Sequence, residues 1–75
     1  MEKNIECKIT RKLAILSSNQ SGWQLELNDV SWNGSHPKLE VRRWKADHTQ
    51  CNKGVTLSRK EAENLLVALK AELEE

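Results

Sequence analysis

Two runs of alternating residues on either side of one turn constrain this chain more than any other feature. Trp23-Gln24-Leu25-Glu26-Leu27-Asn28-Asp29-Val30-Ser31-Trp32 alternates apolar and polar residues, and Lys38-Leu39-Glu40-Val41-Arg42-Arg43-Trp44 does so again. A period of two marks half-buried strands, and Asn33-Gly34 followed by Pro37 marks the turn between them. A shared core requires Leu25 and Leu27 on the same face as Leu39 and Val41. That fixes the pairing phase, because a one-residue slip turns every side chain over. Trp32 and Trp44 then fall on the other face, with Asn28, Lys38, Glu40 and Arg42. The expected register sets Trp32 opposite Lys38 and Trp44 opposite Glu26, roughly 20 Å apart at ~3.3 Å per residue.

The rest of the chain extends this hairpin. Ile5, Cys7, Ile9, Leu13 and Ile15 share odd-numbered phase and predict a long first strand bent near Thr10 to Lys12. Ser17 to Gly22 is a turn-forming cluster, and Lys53-Gly54-Val55-Thr56-Leu57 is a short fourth strand. Ser58-Arg59-Lys60-Glu61 has the form of a capping box, and Ala62, Leu65, Leu66, Leu69 and Leu73 follow at helical spacing. The expectation is one α+β domain over residues 1–75, with four antiparallel strands within about 4–57 and one C-terminal helix over about 59–74. The helix stripe is expected to cover one sheet face and to leave the other open.

A chain of 75 residues buries only about 60% of its unfolded surface. Cys7 and Cys51 are too few for a disulfide framework, so pairing into a homodimer is the remaining common remedy. Cys7 is expected as a small core residue and Cys51 as a free loop thiol. No leader-like or bilayer-length apolar run is present, so the chain is expected to be cytoplasmic, with no membrane partner. The net charge of +1 conceals segregation. Residues 1–37 are neutral, residues 38–60 carry +5, and residues 61–75 carry −4. The basic middle suits a polyanion.

Tryptophans among basic residues on an open sheet suit a single-stranded nucleic acid. Base–aromatic stacking contributes about 1–3 kcal/mol per base and tolerates most sequences. Trp44 and Trp32 are the candidate platforms, and Arg42, Lys38, Lys53, Lys12 and Lys8 the candidate phosphate contacts. Trp23, in phase with Leu25 and Leu27, is expected in the core. Gly54 is too isolated a signal for a phosphate cradle. His36, His48, Cys7 and Cys51 lack the two close pairs of a structural zinc site, so no metal or cofactor is expected. No triad, nucleophile elbow or carboxylate pair suggests an enzyme.

Together, Val30-Ser31-Trp32-Asn33, Pro37-Lys38, Val41-Arg42-x-Trp44, His48 and Lys53-Gly54-Val55-Thr56-Leu57-Ser58 resemble the positive cofactor four family of transcriptional coactivators, in particular its short bacterial YdbC-type members. The resemblance covers nearly the whole chain. It implies a strongly curved four-stranded antiparallel sheet with one helix, and a homodimer that binds single-stranded DNA along its curved sheets. It implies stacking by Trp32 and Trp44, and basic contacts from Arg42, Lys38 and Lys53. The Ser/Lys-rich regulatory tail of eukaryotic members is absent, and Arg43-Trp44 offers one aromatic where those relatives place two. Two rivals remain: RNA as the ligand, or a protein-interaction module that recruits a transcription or repair partner through its open face, with tryptophans as anchors.

Overall fold

A computed structural model describes residues 7–74 of the chain. Four strands, β1 (Cys7–Ser18), β2 (Trp23–Trp32), β3 (Lys38–Lys45) and β4 (Cys51–Leu57), precede one helix, α1 (Arg59–Leu73). The strands form a single antiparallel sheet in chain order, so the architecture is α+β as the patterning requires. The sheet is not strongly curled, in contrast to the curvature that the family resemblance implies.

The β2–β3 phase is as expected, with Leu27 opposite Val41. The register is displaced by two residues: Val30 faces Lys38, Glu26 faces Arg42 and Gln24 faces Trp44. The reason lies in the turn. Asn33 and Gly34 adopt positive φ (52° and 77°), and Ser35 N–H donates to Trp32 O at 3.0 Å, closing a tight turn. Ser35, His36 and Pro37 then run unpaired before β3 begins, and proline has no N–H for a ladder.

β1 departs further from simple alternation. Its pairing with β2 shifts between Ile9 and Arg11, between Lys12 and Ala14, and between Ile15 and Ser17. Each shift lets the strand bend and changes which residues share a face. Cys7, Ile9, Lys12 and Ile15 pair with Trp32, Val30, Asn28 and Glu26, whereas Lys8, Arg11 and Ala14 pair with Ser31, Asp29 and Leu27. The register therefore puts Lys8 on the face opposite the tryptophans, unlike Lys12. Ile5 lies outside the described residues.

The helix start follows from its sequence. Glu61 N–H donates to the Ser58 hydroxyl at 3.1 Å, while Ser58 N–H donates to the Glu61 carboxylate at 2.8 Å. The helix does not cover the sheet as expected. No helical residue is buried, and Leu66 and Leu73 are 65% and 78% exposed. Its first turns border an apolar hollow of about 270 Å³ against Leu16, Leu27, Leu39, Val41 and Leu57. This face is a core half built. Among the described residues, no helix is long and apolar enough to cross a membrane.

Candidate nucleic-acid interface

The face expected to be open is instead the most enclosed part of the molecule. Val30 and Trp44 are its buried apolar side chains, and Glu26, Asn28 and Glu40 are buried beside them. All five are even-numbered residues of β2 and β3, so they share one face. The bulged β1 and the loop after β3 border it: Cys7, Lys8, Ile9, Lys12, Asp47 and His48 line one hollow with Trp44. Alternation showed that the two faces differ. It did not show which would be buried.

Two carboxylates organise this face. Glu40, 1% exposed, accepts from Trp32 Nε1 at 2.8 Å, Arg42 Nε at 2.7 Å, Arg42 Nη2 at 2.9 Å and Thr56 Oγ1 at 3.2 Å. Burial alone pushes its pKa up, but the donors from Arg42, Trp32 and Thr56 together hold it below the ordinary value. Glu26, 2% exposed, accepts from Gln24 at 2.6 Å and Asn28 at 3.0 Å, and its two oxygens each lie 3.0 Å from His48 Nε2. Burial again pushes up, and the hydrogen bonds from Asn28, His48 and Gln24 outweigh it. An ionised carboxylate only accepts, so His48 Nε2 carries the proton in this pair.

Arg42 is anchored rather than free. Its Nη1 donates to Asn52 O at 2.7 Å, and its guanidinium lies 5.0 Å from the Trp32 ring centroid, within cation–π range. Hydrogen bonding to Glu40 raises the Arg42 pKa further despite burial. Its charge is largely matched by Glu40. What it presents is a rigid, half-buried Arg–Trp pair.

Trp44 does not stand out as an exposed platform. It is 6% exposed, and His48 packs on it with ring centroids 5.6 Å apart and planes tilted by 41°. Its indole Nε1 is buried with no partner among the described residues, an arrangement that costs about 1–3 kcal/mol. Trp32 and Trp44 lie eight ladder positions apart, since Trp44 pairs with Gln24, rather than the six expected.

The remaining candidates are dispersed. Lys12 is exposed opposite Asn28, on the tryptophan face. Lys53 is exposed in β4, where the pairing with β3 shifts between Arg42 and Trp44. Lys38 borders a separate hollow with Arg11, His36 and Arg59 at the helix start. Trp23 is half-buried beneath Lys45 Nζ, 5.5 Å from its ring centroid, rather than in a closed core. Gly54 serves packing: a Cβ there would lie 2.6 Å from Val41 O and 2.7 Å from Arg42 Cβ. Cys7 is half-buried and Cys51 exposed, both as free thiols. Sequence reasoning missed the roles of Glu26, Glu40 and Asn28 because polar residues alternating with apolar ones read as a solvated face, and that of His48 because a loop residue carries no periodic signal.

No family model matches the chain. It is 44% identical over 54 residues to a protein of Treponema pallidum (strain Nichols) described as uncharacterized. The match takes in 72% of this chain and 64% of that protein, so this chain spans less than two thirds of its relative's length.

Proposed function

We propose that this chain binds single-stranded DNA with little sequence preference, along the face built on Trp32, Arg42 and Trp44. The observation that carries the reading is the Arg42–Trp32 pair, both members held by Glu40 with the guanidinium over the indole ring. A guanidinium fixed over an indole covers one ring face and leaves a base the outer side of the stacked pair, without further loss of side-chain freedom. Positive charge for phosphates comes from the exposed Lys12 and Lys53, with Lys38 and Lys8 at the margins. A duplex hides its base faces and would not be gripped this way. The resemblance to the positive cofactor four family supports the same reading, and transcription regulation or DNA maintenance is the corresponding role.

Two copies would pair through the apolar side. Leu65, Leu66, Leu69 and Leu73 are exposed on the helix, and Leu16, Leu27, Val41 and Leu57 border the hollow beneath it. A second copy of the helix would bury both sets, and the sheets of the two protomers would together offer a longer binding surface.

The test is fluorescence anisotropy of a labelled oligo-dT, its RNA counterpart and a matching duplex at two salt concentrations. Binding should favour the single strands and weaken with salt. Each phosphate contact contributes a slope of about −0.7 in log affinity against log salt, so Lys12→Ala should flatten the slope by about that amount. Equal affinity for the duplex would refute stacking. No binding by a folded protein would leave the face to a protein partner.

A further inference from the structure

The loop between β3 and β4 gives the buried Trp44 a means of opening. His48, at positive φ (62°), reaches back from this loop to Glu26 on β2 and packs its ring on Trp44. The loop is held internally: Lys45 N–H donates to Gln50 O, His48 N–H to Lys45 O, and Thr49 donates through its N–H and hydroxyl to the Asp47 carboxylate. The β3–β4 ladder shifts at its base, between Arg42 and Trp44. Ala46 N–H donates to Gly22 O, and Lys45 Nζ donates to Ser21 O, so its root is tied to the β1–β2 turn. Among the described residues, His48 to Glu26 is the side-chain tie between the loop tip and the tryptophan face. Swinging the loop on its root breaks that hydrogen bond and parts the His48 ring from Trp44.

We propose that His48 and Glu26 form a proton-sensitive latch that keeps Trp44 closed, and that release of the latch completes the single-strand site. This rests on Trp44 being a stacking platform, as in the function proposed above. The closed state leaves the Trp44 indole N–H buried without an acceptor among the described residues, whereas opening lets it meet water or a nucleic-acid oxygen. The two states are thereby brought closer in free energy than a fully satisfied core would allow.

The sign follows from the proton. Neutral His48 already donates from Nε2 to Glu26, and protonated His48 adds a full charge to the same bond. The groups around His48 are Glu26, with neutral Gln24 and Asn28, from β2; Trp44 from β3; Lys12 and the Cys7 thiol from β1, with Lys8 at the rim of the hollow although its register directs it to the other face; and Asp47 in its own loop. Lys8 and Lys12 oppose the added charge, but they are exposed and solvated, whereas Glu26 is buried in direct contact. Gain of a proton by His48 tightens the latch, and its loss loosens it. Oligonucleotide binding should therefore strengthen as pH rises. An unlatched cationic surface behaves oppositely, because protonating a histidine adds attraction for phosphate.

The test has two arms, each run between pH 5.5 and 8 on wild type, His48→Ala and His48→Gln, with folding checked by circular dichroism. In the free protein, acrylamide quenching of tryptophan emission should rise with pH in wild type. It should be high at every pH in His48→Ala, and low at every pH in His48→Gln, whose amide can donate to Glu26 without titrating. Oligo-dT affinity should rise several-fold with pH in wild type only, and His48→Ala should bind more tightly than wild type at the acid end. Quenching that is flat with pH in wild type overturns the latch. Affinity that falls with pH alike in wild type and His48→Ala also overturns it, while leaving single-strand binding intact. Failure of every variant to bind oligo-dT while the quenching step persists would instead overturn the proposed ligand and keep the latch.

Discussion

Replacing Glu40 by alanine is the substitution whose consequence the structure fixes most firmly. Glu40 is almost fully buried and accepts four hydrogen bonds, two from Arg42, whose side chain is 14% exposed. Without the carboxylate, the guanidinium keeps only Asn52 O, and the Trp32 indole N–H loses its acceptor. Removing one partner of a buried pair costs about 3–5 kcal/mol, and the residual exposure of Arg42 points to the lower end. A domain of this size has a total stability of about 4–11 kcal/mol, so Glu40→Ala should remove a large share of it. At about 4–8 °C per kcal/mol, a loss of 3 kcal/mol lowers Tm by about 12–24 °C. The assay is urea and thermal unfolding of wild type, Glu40→Ala, Arg42→Ala and the double variant. The double variant should be less destabilised than the sum of the singles, because no unpaired charge stays buried. A loss below about 1 kcal/mol for Glu40→Ala, or strict additivity, would refute the buried network.

Three other outcomes follow from the same geometry. Glu26 and Glu40 both have folded pKa values held below 4.5, so their contribution is present above that pH and lost as pH falls through the lowered values; the acid fall in Tm should be shallower in Glu40→Gln than in wild type, and identical profiles would contradict this. Gly54→Ala should destabilise by about 1–3 kcal/mol through the close approach to Val41 O, seen as a lower urea midpoint at unchanged m. Leu66→Glu and Leu69→Glu, at exposed apolar positions of α1, should convert a dimer to a folded monomer in sedimentation equilibrium, and an unaltered mass would remove the helix from the subunit interface.

The order of elements, the hairpin phase and the helix cap were legible because each is written in a local pattern. Leu25, Leu27, Leu39 and Val41 share a period, and Ser58 and Glu61 stand three residues apart. What could not be read depended on interactions without a period. Pro37 lengthened the unpaired turn and displaced the register by two. Three shifts in β1 divided residues of one parity between two faces, leaving Cys7, Ile9 and Ile15 on the tryptophan side but Arg11 on the other, and separating Lys12 from Lys8. The largest reversal concerned burial. Glu26, Asn28 and Glu40 have the chemistry of surface residues, and they are buried because partners from β2, β3, β4 and the His48 loop converge on them. Arg42 and Trp44, expected as a phosphate contact and an open platform, are an anchored half of an ion pair and a covered ring.

The most direct test of the central claim is the indole N–H region of a ¹⁵N–¹H correlation spectrum during titration with oligo-dT. The account predicts large shifts at Trp32 and Trp44 and little change at Trp23, which lies on the opposite face beneath Lys45. Shifts confined to Trp23, or none at saturating oligonucleotide, would contradict it.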